Sequence, residues 1–484
     1  MMKKYITIPA ALLTALFLNS CDQDLDVEPN DKQTELDFLN NPDNAIQLVN
    51  GVYNKNLSFD MYAFSWIGIT SITSDDADKG STPGDSGSDK NLLDNLTFSA
   101  SSGSFLAVWK ARYQGIGRAN NALFYLEQLS IDPVLKNRLI GEVEFLRALW
   151  YFDLVRCFGG VPIVTSKIDL NDADLVNSIV FTRKTKAETY AQIEKDLLDA
   201  INRLPNKSQY SGNDVGRASK GAAQALLAKA YLYQERWLES FNMAGEVINS
   251  GQYSLMEDYS HVWREIGENK EESIFEIQAS LTNGLQDYTN VQGPRGTPDL
   301  GWGFNTPSTG LTNAYESGDL RRAATILFVP STLWDGFVAP TTLSNPRYNY
   351  KAYQSSIAES WDNNKAVTAK NLRILKYSDI LLIRAEAGFH SGNTGEALNR
   401  INEIRNRAGL EDLPTVTLAS ILKERRLEMA MEHDRWFDLI RTGQAAAAMA
   451  ADGKIFAVGT HELFPIPQDQ IIASGNRLTQ NNGY

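Results

Sequence analysis

A repeated pair of short helices constrains this chain more than any other feature. Residues 217–251 place small and apolar side chains at helical spacing on either side of a short polar break, and Gly251 ends the second run. Two helices joined by so short a turn must lie antiparallel, and the alanines allow a close approach. The plan recurs without a gap at residues 377–409, where Ala385, Ala387, Glu396 and Ile404 match Ala228, Ala230, Glu239 and Val247.

Helix pairs that recur with about 34 residues per unit are typical of tetratricopeptide packing, in which stacked pairs bury one continuous core. The sequence therefore predicts a mainly α fold, with a tetratricopeptide-like helix-pair scaffold over about residues 105–251 and 371–443. Helical periodicity weakens over about residues 279–370, where Gly, Pro, Thr and Asn dominate. So long an irregular insert within a compact protein is usually functional.

The N-terminus has the pattern of an exported protein. Lys3 and Lys4 precede an apolar run over residues 5–18 that is too short to span a membrane, which predicts a signal peptide at residues 1–20. The small residues before Cys21 resemble the lipoprotein processing site of Bacteroidetes, which implies lipidation of Cys21. A soluble secreted protein with an incidental cysteine is the alternative. Residues 21–40 are polar and acidic and are predicted to form a lipidated tether, with a start that resembles the signal for the outer face of the outer membrane.

The charge balance limits the partners. The formal net charge is −13 and no basic stripe interrupts it, which argues against nucleic acid and anionic lipid headgroups. Attachment to a membrane is therefore predicted through the lipid anchor only. Cys157 is the only other cysteine, so lipidation of Cys21 leaves no possible intrachain disulfide.

Several blocks of sequence carry a family resemblance. Residues 142–164, EVEFLRALWYFDLVRCFGGVPIV, closely resemble the FLRA-x-x-YFDLVR-x-FGG-VP signature of the SusD/RagB outer-membrane lipoproteins. The resemblance extends over nearly the whole mature chain and implies that residues 41–484 form a SusD-like nutrient-binding domain with a few short strands. Further matching blocks follow in the family order: EESIFEIQ at 271–278, LTNAYESGDLRRAAT at 311–325, residues 371–410, ILKERRLEMAMEHDRWFDLIRTG at 421–443, and LTQNNGY at 478–484.

This resemblance implies a surface-exposed lipoprotein that binds an oligosaccharide and delivers it to a SusC-like TonB-dependent transporter. RagB-like binding of a peptide or another nutrient, and a scaffold that recruits other proteins, remain as alternatives. No cofactor is implied, and no HExxH, paired CxxC, dinucleotide fingerprint or P-loop occurs. We therefore predict no enzyme activity, although the paired carboxylates of a glycosidase need only a suitable separation in space.

Aromatic residues in irregular segments are the candidates for ligand binding. Sugar rings lay flat C–H faces on aromatic rings and direct hydroxyls to nearby polar groups. Trp109, Trp150, Trp237 and Trp436 have apolar helical companions and are assigned to the core, whereas Trp361 and three others lie in loop-like surroundings. Packing within a loop, or contact with a partner protein, is the alternative for each. The predicted ligand-binding residues are Trp66, Asp76 and Lys79 from the early loop, and Tyr288, Trp302 and Trp334 from the insert.

Charged clusters are interpreted as structural. Residues 421–443 carry carboxylates and arginines that suggest ion pairs fixing a helix, and Asp438 has Arg435 and Arg441 within pairing reach. Asp75 and Asp76 belong to a group of aspartates that could bind calcium, but its irregular spacing favours a solvated loop.

Overall fold

The computed structural model describes residues 41, 43–85, 87–284, 287–296, 300–362 and 367–484. The predicted signal peptide, Cys21 and the tether lie outside these residues, and the division of the chain at residues 20 and 40 stays a prediction. Of the helices in the described ranges, none combines the length and the apolar character that a bilayer-spanning segment needs.

Helices dominate the structure and strands are few and short, which confirms the predicted fold class. The α-helices are α1 (Asp43–Asn54), α2 (Phe59–Tyr62), α3 (Phe64–Ile67), α4 (Gly87–Asp94), α5 (Gly103–Gln128), α6 (Pro133–Phe158), α7 (Ala173–Leu175), α8 (Lys186–Arg203), α9 (Lys220–Leu232), α10 (Trp237–Asn249), α11 (Tyr288–Gln292), α12 (Thr309–Ala314), α13 (Leu320–Thr325), α14 (Tyr377–His390), α15 (Thr394–Arg407), α16 (Leu418–Glu428), α17 (Arg435–Arg441), α18 (Ala445–Ala451) and α19 (Gln468–Ala473). The strands are β1 (Ala77–Gly80), β2 (Ser273–Ile277), β3 (Phe304–Pro307), β4 (Ile326–Phe328), β5 (Ser331–Thr332), β6 (Val338–Ala339), β7 (Arg347–Asn349) and β8 (Leu372–Lys376).

The two predicted helix pairs are present. Helices α9 and α10 form one pair, and α14 and α15 form the other, in the register that the alanine match requires. The Ser240 hydroxyl donates to the carbonyl of Ala228 at 2.9 Å and fixes the first pair. The pairs stack through α10 and α14, where a Cβ at Gly388 would lie 3.1 Å from the ring of Phe241. The absence of side-chain bulk thus allows the close stacking that the repeat predicts.

Helix α6 lies in the centre of the core. Its N-terminus is capped by Asp132, whose carboxylate accepts from the amide of Leu135 at 2.8 Å, and Pro133 occupies the first turn. Nearly every residue from Leu139 to Phe158 is buried. Trp109, Trp150 and Trp436 are buried, as predicted, whereas Trp237 is only half-buried and stacks on His390 with 4.0 Å between ring centroids.

Residues 421–443 form two helices rather than one. Helix α16 ends at Glu428 and α17 begins at Arg435, because Met431 and His433 adopt positive φ angles of 66° and 72° between them. Arg435 lies in the same helix as Asp438 but pairs with Asp75 at 2.7 Å. Asp438 pairs with Arg425 at 2.7 Å and with Arg441 at 2.8 Å. Of the two arginines within reach of Asp438 in the sequence, Arg441 pairs with it and Arg435 pairs elsewhere, and ion pairs fix these helices against their neighbours as predicted.

Two antiparallel strand pairs place the insert. Strands β2 and β8 pair with Ile277 opposite Leu372, so the insert leaves and rejoins the helical scaffold at one place. Strands β1 and β3 pair with Ala77 opposite Pro307 and Gly80 opposite Phe304. This second pairing holds the early segment against the insert and brings together residues that are far apart in sequence.

Candidate functional site

Trp66 is not a surface residue. It lies in helix α3, is only 4% exposed, and packs on Phe437 with 6.2 Å between ring centroids. The guanidinium of Arg112 lies 4.2 Å from the centroid of its ring. The expectation that Trp66 presents a free face from a loop is therefore wrong, because the early segment folds into short buried helices.

Asp76 and Lys79 are also buried. The carboxylate of Asp76 accepts from Arg426 Nε at 2.7 Å, and the adjacent Asp75 accepts two hydrogen bonds from Arg435 at 2.7 and 2.8 Å. These two aspartates therefore belong to buried ion pairs rather than to a solvated loop. The ammonium of Lys79 donates to the carbonyl of Thr82 at 2.9 Å.

Tyr288 points into the core and donates or accepts a hydrogen bond with His433. The Tyr288 hydroxyl lies 2.9 Å from Nε2 of His433, and both residues are less than 9% exposed. Burial lowers the pKa of His433 to about 4. Tyr288 thus packs the insert against the turn that holds His433, and its buried ring is not available to a ligand.

The buried His433 predicts an acid-sensitive stability. Between about pH 6.5 and pH 4 the unfolded chain binds a proton at this imidazole that the folded chain does not, so stability falls as pH falls, approaching about 1.4 kcal/mol per pH unit. The substitution His433→Asn removes the imidazole and tolerates the positive φ. The stability difference between wild type and variant should change across this window and be constant above pH 7, as measured by urea unfolding.

The control is Tyr288→Phe, which removes the hydrogen bond to His433 but keeps the imidazole. It should retain the pH dependence of the wild type. A difference between wild type and His433→Asn that is the same at pH 4.5 and pH 7.5 would contradict the prediction.

Trp302 is accessible and belongs to a ring cluster. Its indole is 36% exposed and meets the Phe64 ring edge-on, with 6.0 Å between centroids and 90° between planes. Phe59 lies 6.3 Å from Trp302 and 6.5 Å from Phe64. We call Phe59, Phe64 and Trp302 the aromatic platform. Its two phenylalanines are half-buried, and Phe304 supports Phe64 from below at 4.7 Å.

Two glycines allow the segments beneath the aromatic platform to meet. Gly80 and Gly303 have φ angles of +70° and +76°, and a Cβ at Gly80 would lie 2.5 Å from the carbonyl oxygen of Gly303. Side chains at such positions would be both strained and crowded. The Trp302 amide also donates to the carbonyl of Asn290 at 2.7 Å, which fixes the indole above the pairing of β1 with β3.

Polar groups surround the aromatic platform and are already partnered. Arg295 pairs with Asp85 and donates to the Ser81 hydroxyl at 3.1 Å. Hydrogen bonds from Ser81 and Thr82 lower the pKa of Asp85 to about 2, so this carboxylate is ionised at neutral pH. Lys90 is buried, with its Nζ 4.1 Å from the centroid of the Phe64 ring and 2.7 Å from a carboxylate oxygen of Asp89. The site therefore combines an apolar face with ordered polar groups.

Trp334 is exposed at a second position. It is 50% exposed, and its amide donates to the Tyr350 hydroxyl at 3.2 Å. The guanidinium of Arg264 lies 5.5 Å from the indole centroid. Among the described residues, the rings of Trp334 and Trp302 are not in contact. The segments that carry them are joined through a small apolar cluster that contains Leu300 and Leu333.

Phe59 and Phe64 are the site residues that sequence reasoning missed. Both lie in the early segment, close to Trp66. The sequence does not indicate which aromatic ring either phenylalanine contacts. The pairing of β1 with β3, which the sequence does not predict, brings these rings to Trp302.

Trp361 is half-buried, and its indole N–H donates to the carbonyl of Ser355 at 2.9 Å.

Comparison with known families gives two matches that together span most of the chain. The model described as the SusD family matches residues 271–484. The model described as "starch-binding associating with outer membrane" matches residues 25–232. The aromatic platform takes Phe59 and Phe64 from the part matched by the second model and Trp302 from the part matched by the first.

Individual relatives give the same result. SusD-like protein P2 of Formosa agariphila is 28% identical over 100% of both chains. The structure of a laminarin-binding SusD-like protein is similar with a TM-score of 0.79 and 29% identity, covering 92% of this chain and 100% of that one. Surface glycan-binding protein A from Bacteroides thetaiotaomicron, solved with laminarihexaose, has a TM-score of 0.77 and 25% identity over 91% and 99% of the two chains.

Proposed function

The chain belongs to the SusD/RagB family, and on that premise we propose that it captures an oligosaccharide on the aromatic platform and delivers it to a SusC-like TonB-dependent transporter. The observation that carries the proposal is the indole of Trp302, which is exposed and fixed by Phe59 and Phe64. An aromatic face held in place loses little conformational entropy when a sugar ring packs on it. Two structurally similar proteins are described by their binding of laminarin or laminarihexaose, which supports a glycan as the ligand.

The charges beside the aromatic platform favour a neutral glycan. Arg295 is neutralised by Asp85, and Lys90 is neutralised by Asp89. An anionic sugar would have to compete with Asp85 for Arg295, and Lys90 is buried. The hydroxyl groups of a neutral sugar, in contrast, can form hydrogen bonds with Arg295, Asp85 and Ser81 while the ion pair stays intact.

The proposal places the protein at the outer face of the outer membrane, held by a lipid at Cys21. One matching family model describes association with the outer membrane. Tethering a modest binder beside a transporter raises the effective concentration of captured ligand at its entrance. Closure over the transporter follows if the ligand contacts both proteins and so favours the closed arrangement. Two of the similar structures are described as glycan-binding, and our proposal includes no catalytic step.

Isothermal titration of the mature protein tests the ligand class. We expect saturable binding of laminarihexaose or another neutral hexasaccharide, and weaker binding of an oligouronate of equal length. Saturable peptide binding with inert glycans would overturn the proposal in favour of a peptide carrier. Release of reducing ends from the same glycans would show a glycosidase instead.

A further inference from the structure

A groove beside helix α5 is lined by residues other than those of the aromatic platform. It has a volume of about 590 Å³ and lies between helix α5, the segment 164–170, the turn Val176–Val180 and the C-terminal residues around Leu478. This volume is within the range of sites that bind small molecules.

The lining of the groove is apolar with a basic edge. Aliphatic and aromatic side chains, including Tyr113, Ile168 and Val180, form the apolar part, and Lys110 and Lys167 contribute ammonium groups. Amide and hydroxyl groups complete the lining, from Gln114, Asn120, Asn121, Ser166 and Gln470. No aspartate or glutamate lines it, although the whole chain has a net charge of −13. The groove is thus a locally cationic site in an acidic protein, which favours an anion.

The two lysines are available to a ligand. Within the part of the chain that the structure describes, Lys110 is exposed and makes no ion pair or hydrogen bond through its ammonium group. Lys167 is also exposed and has no carboxylate partner among the described residues. Its ammonium donates to the Tyr125 hydroxyl at 3.3 Å and lies 4.6 Å from the centroid of the Phe124 ring and 4.9 Å from that of the Tyr125 ring, so an anion in the groove has to draw it from these neutral contacts. A ligand anion would gain a charge-assisted contact here without displacing a protein carboxylate.

Gly117 keeps one wall of the groove open. It lies in the interior of helix α5, where glycine is less stable than alanine, and a Cβ there would meet no atom within 4 Å. Gly115, two residues earlier, differs because a Cβ there would lie 2.8 Å from the ring of Trp150. Packing thus accounts for Gly115, whereas the space beside Gly117 belongs to the groove.

We propose that the groove binds a small amphipathic anion, of which a medium-chain carboxylate is the simplest member. The aliphatic walls match an acyl chain better than they match a sugar, whose hydroxyl groups would lack partners along Ile168 and Val180. The carboxylate would lie at the edge beside Lys110 and Lys167. This inference does not depend on the proposed oligosaccharide site.

The test compares decanoate, 1-decanol and decyltrimethylammonium in isothermal titration with the mature protein, each below its micelle-forming concentration. Decanoate should bind at least tenfold more tightly than the cation. The double substitution Lys110→Ala and Lys167→Ala should weaken decanoate about tenfold and leave decanol unchanged. Equal affinity for all three amphiphiles, or no binding of decanoate, would overturn the proposal.

Gly117 provides a matched pair of variants. The substitution Gly117→Leu extends a side chain into the groove and should weaken both decanoate and decanol at least tenfold, whereas Gly117→Ala adds one methyl group and should keep most of the affinity. Circular dichroism checks that both variants are folded. Trp302→Ala should leave decanoate binding unchanged, and decanoate binding that survives Gly117→Leu while failing in Trp302→Ala would assign the ligand to the aromatic platform and overturn the proposal.

Discussion

The substitution Trp302→Ala is expected to weaken oligosaccharide binding by about thirtyfold, which corresponds to roughly 2 kcal/mol. The indole supplies the exposed face of the aromatic platform, and Phe59 and Phe64 hold it in place. Its removal takes away the exposed face on which a sugar ring packs. The two phenylalanines are half-buried and cannot replace that face. Isothermal titration of wild type and variant with laminarihexaose measures the change.

Trp334→Ala is the matched control, because it removes an exposed indole that lies outside the aromatic platform. It should change the affinity much less than Trp302→Ala if the aromatic platform is the main site. Unfolding curves of both variants show whether the fold is intact. Unchanged affinity in Trp302→Ala, together with a large loss in Trp334→Ala, would move the site to Trp334.

The substitution Lys229→Met should destabilise the protein by about 3–5 kcal/mol. Lys229 is 3% exposed, and its ammonium pairs with Asp379 at 2.9 Å and with Asp434. Methionine has a similar shape but no charge. It therefore leaves the negative charges of Asp379 and Asp434 less well neutralised in the core. Urea unfolding followed by tryptophan fluorescence at neutral pH measures the free energy of unfolding.

Lys195→Met is the control, since Lys195 pairs with Asp199 at 2.8 Å on a helix surface where its side chain is 65% exposed. A pair so well solvated contributes less than about 1 kcal/mol to the free energy of unfolding.

The loss of stability in Lys229→Met should also depend on pH. Although burial opposes ionisation, the charges of Lys229 and Arg425 hold the pKa of Asp379 below its usual value. The loss in Lys229→Met should therefore shrink as the pH falls and the carboxylates take up protons. Equal losses in the two variants at neutral pH would contradict this account.

The scaffold could be predicted from sequence because its signal is local and repeated. The register that aligns Ala228 with Ala385 also aligns the starts of helices α9 and α14, at Lys220 and Tyr377. A helix pair reveals itself through the spacing of its own apolar residues. The break between α16 and α17 was harder to predict, because Met431 and His433 adopt positive φ, which is uncommon for residues other than glycine.

The site was predicted less completely because its contacts are distant in sequence. Asp76 pairs with Arg426, 350 residues further along the chain, and nothing in the early segment indicates this partner. The exposure of Trp302 and Trp334 agrees with their position among turn-forming residues, and their role in binding stays a prediction. Trp66 has similar neighbours in sequence, but its segment folds into short helices that are covered by Phe437 and Arg112.

The pairing of β2 with β8 has a consequence for how such a protein changes its specificity. Ile277 and Leu372 lie opposite each other, so the chain departs for the insert and returns from it through adjoining residues. The helical body on either side is therefore joined at that point, and buried ion pairs such as Arg321 with Glu424 and Lys351 with Glu432 attach the insert to helix α16 and the turn that follows it. We expect substitutions that change the ligand preference to fall in exposed parts of the insert, such as that around Trp334, while the residues of these pairs are kept.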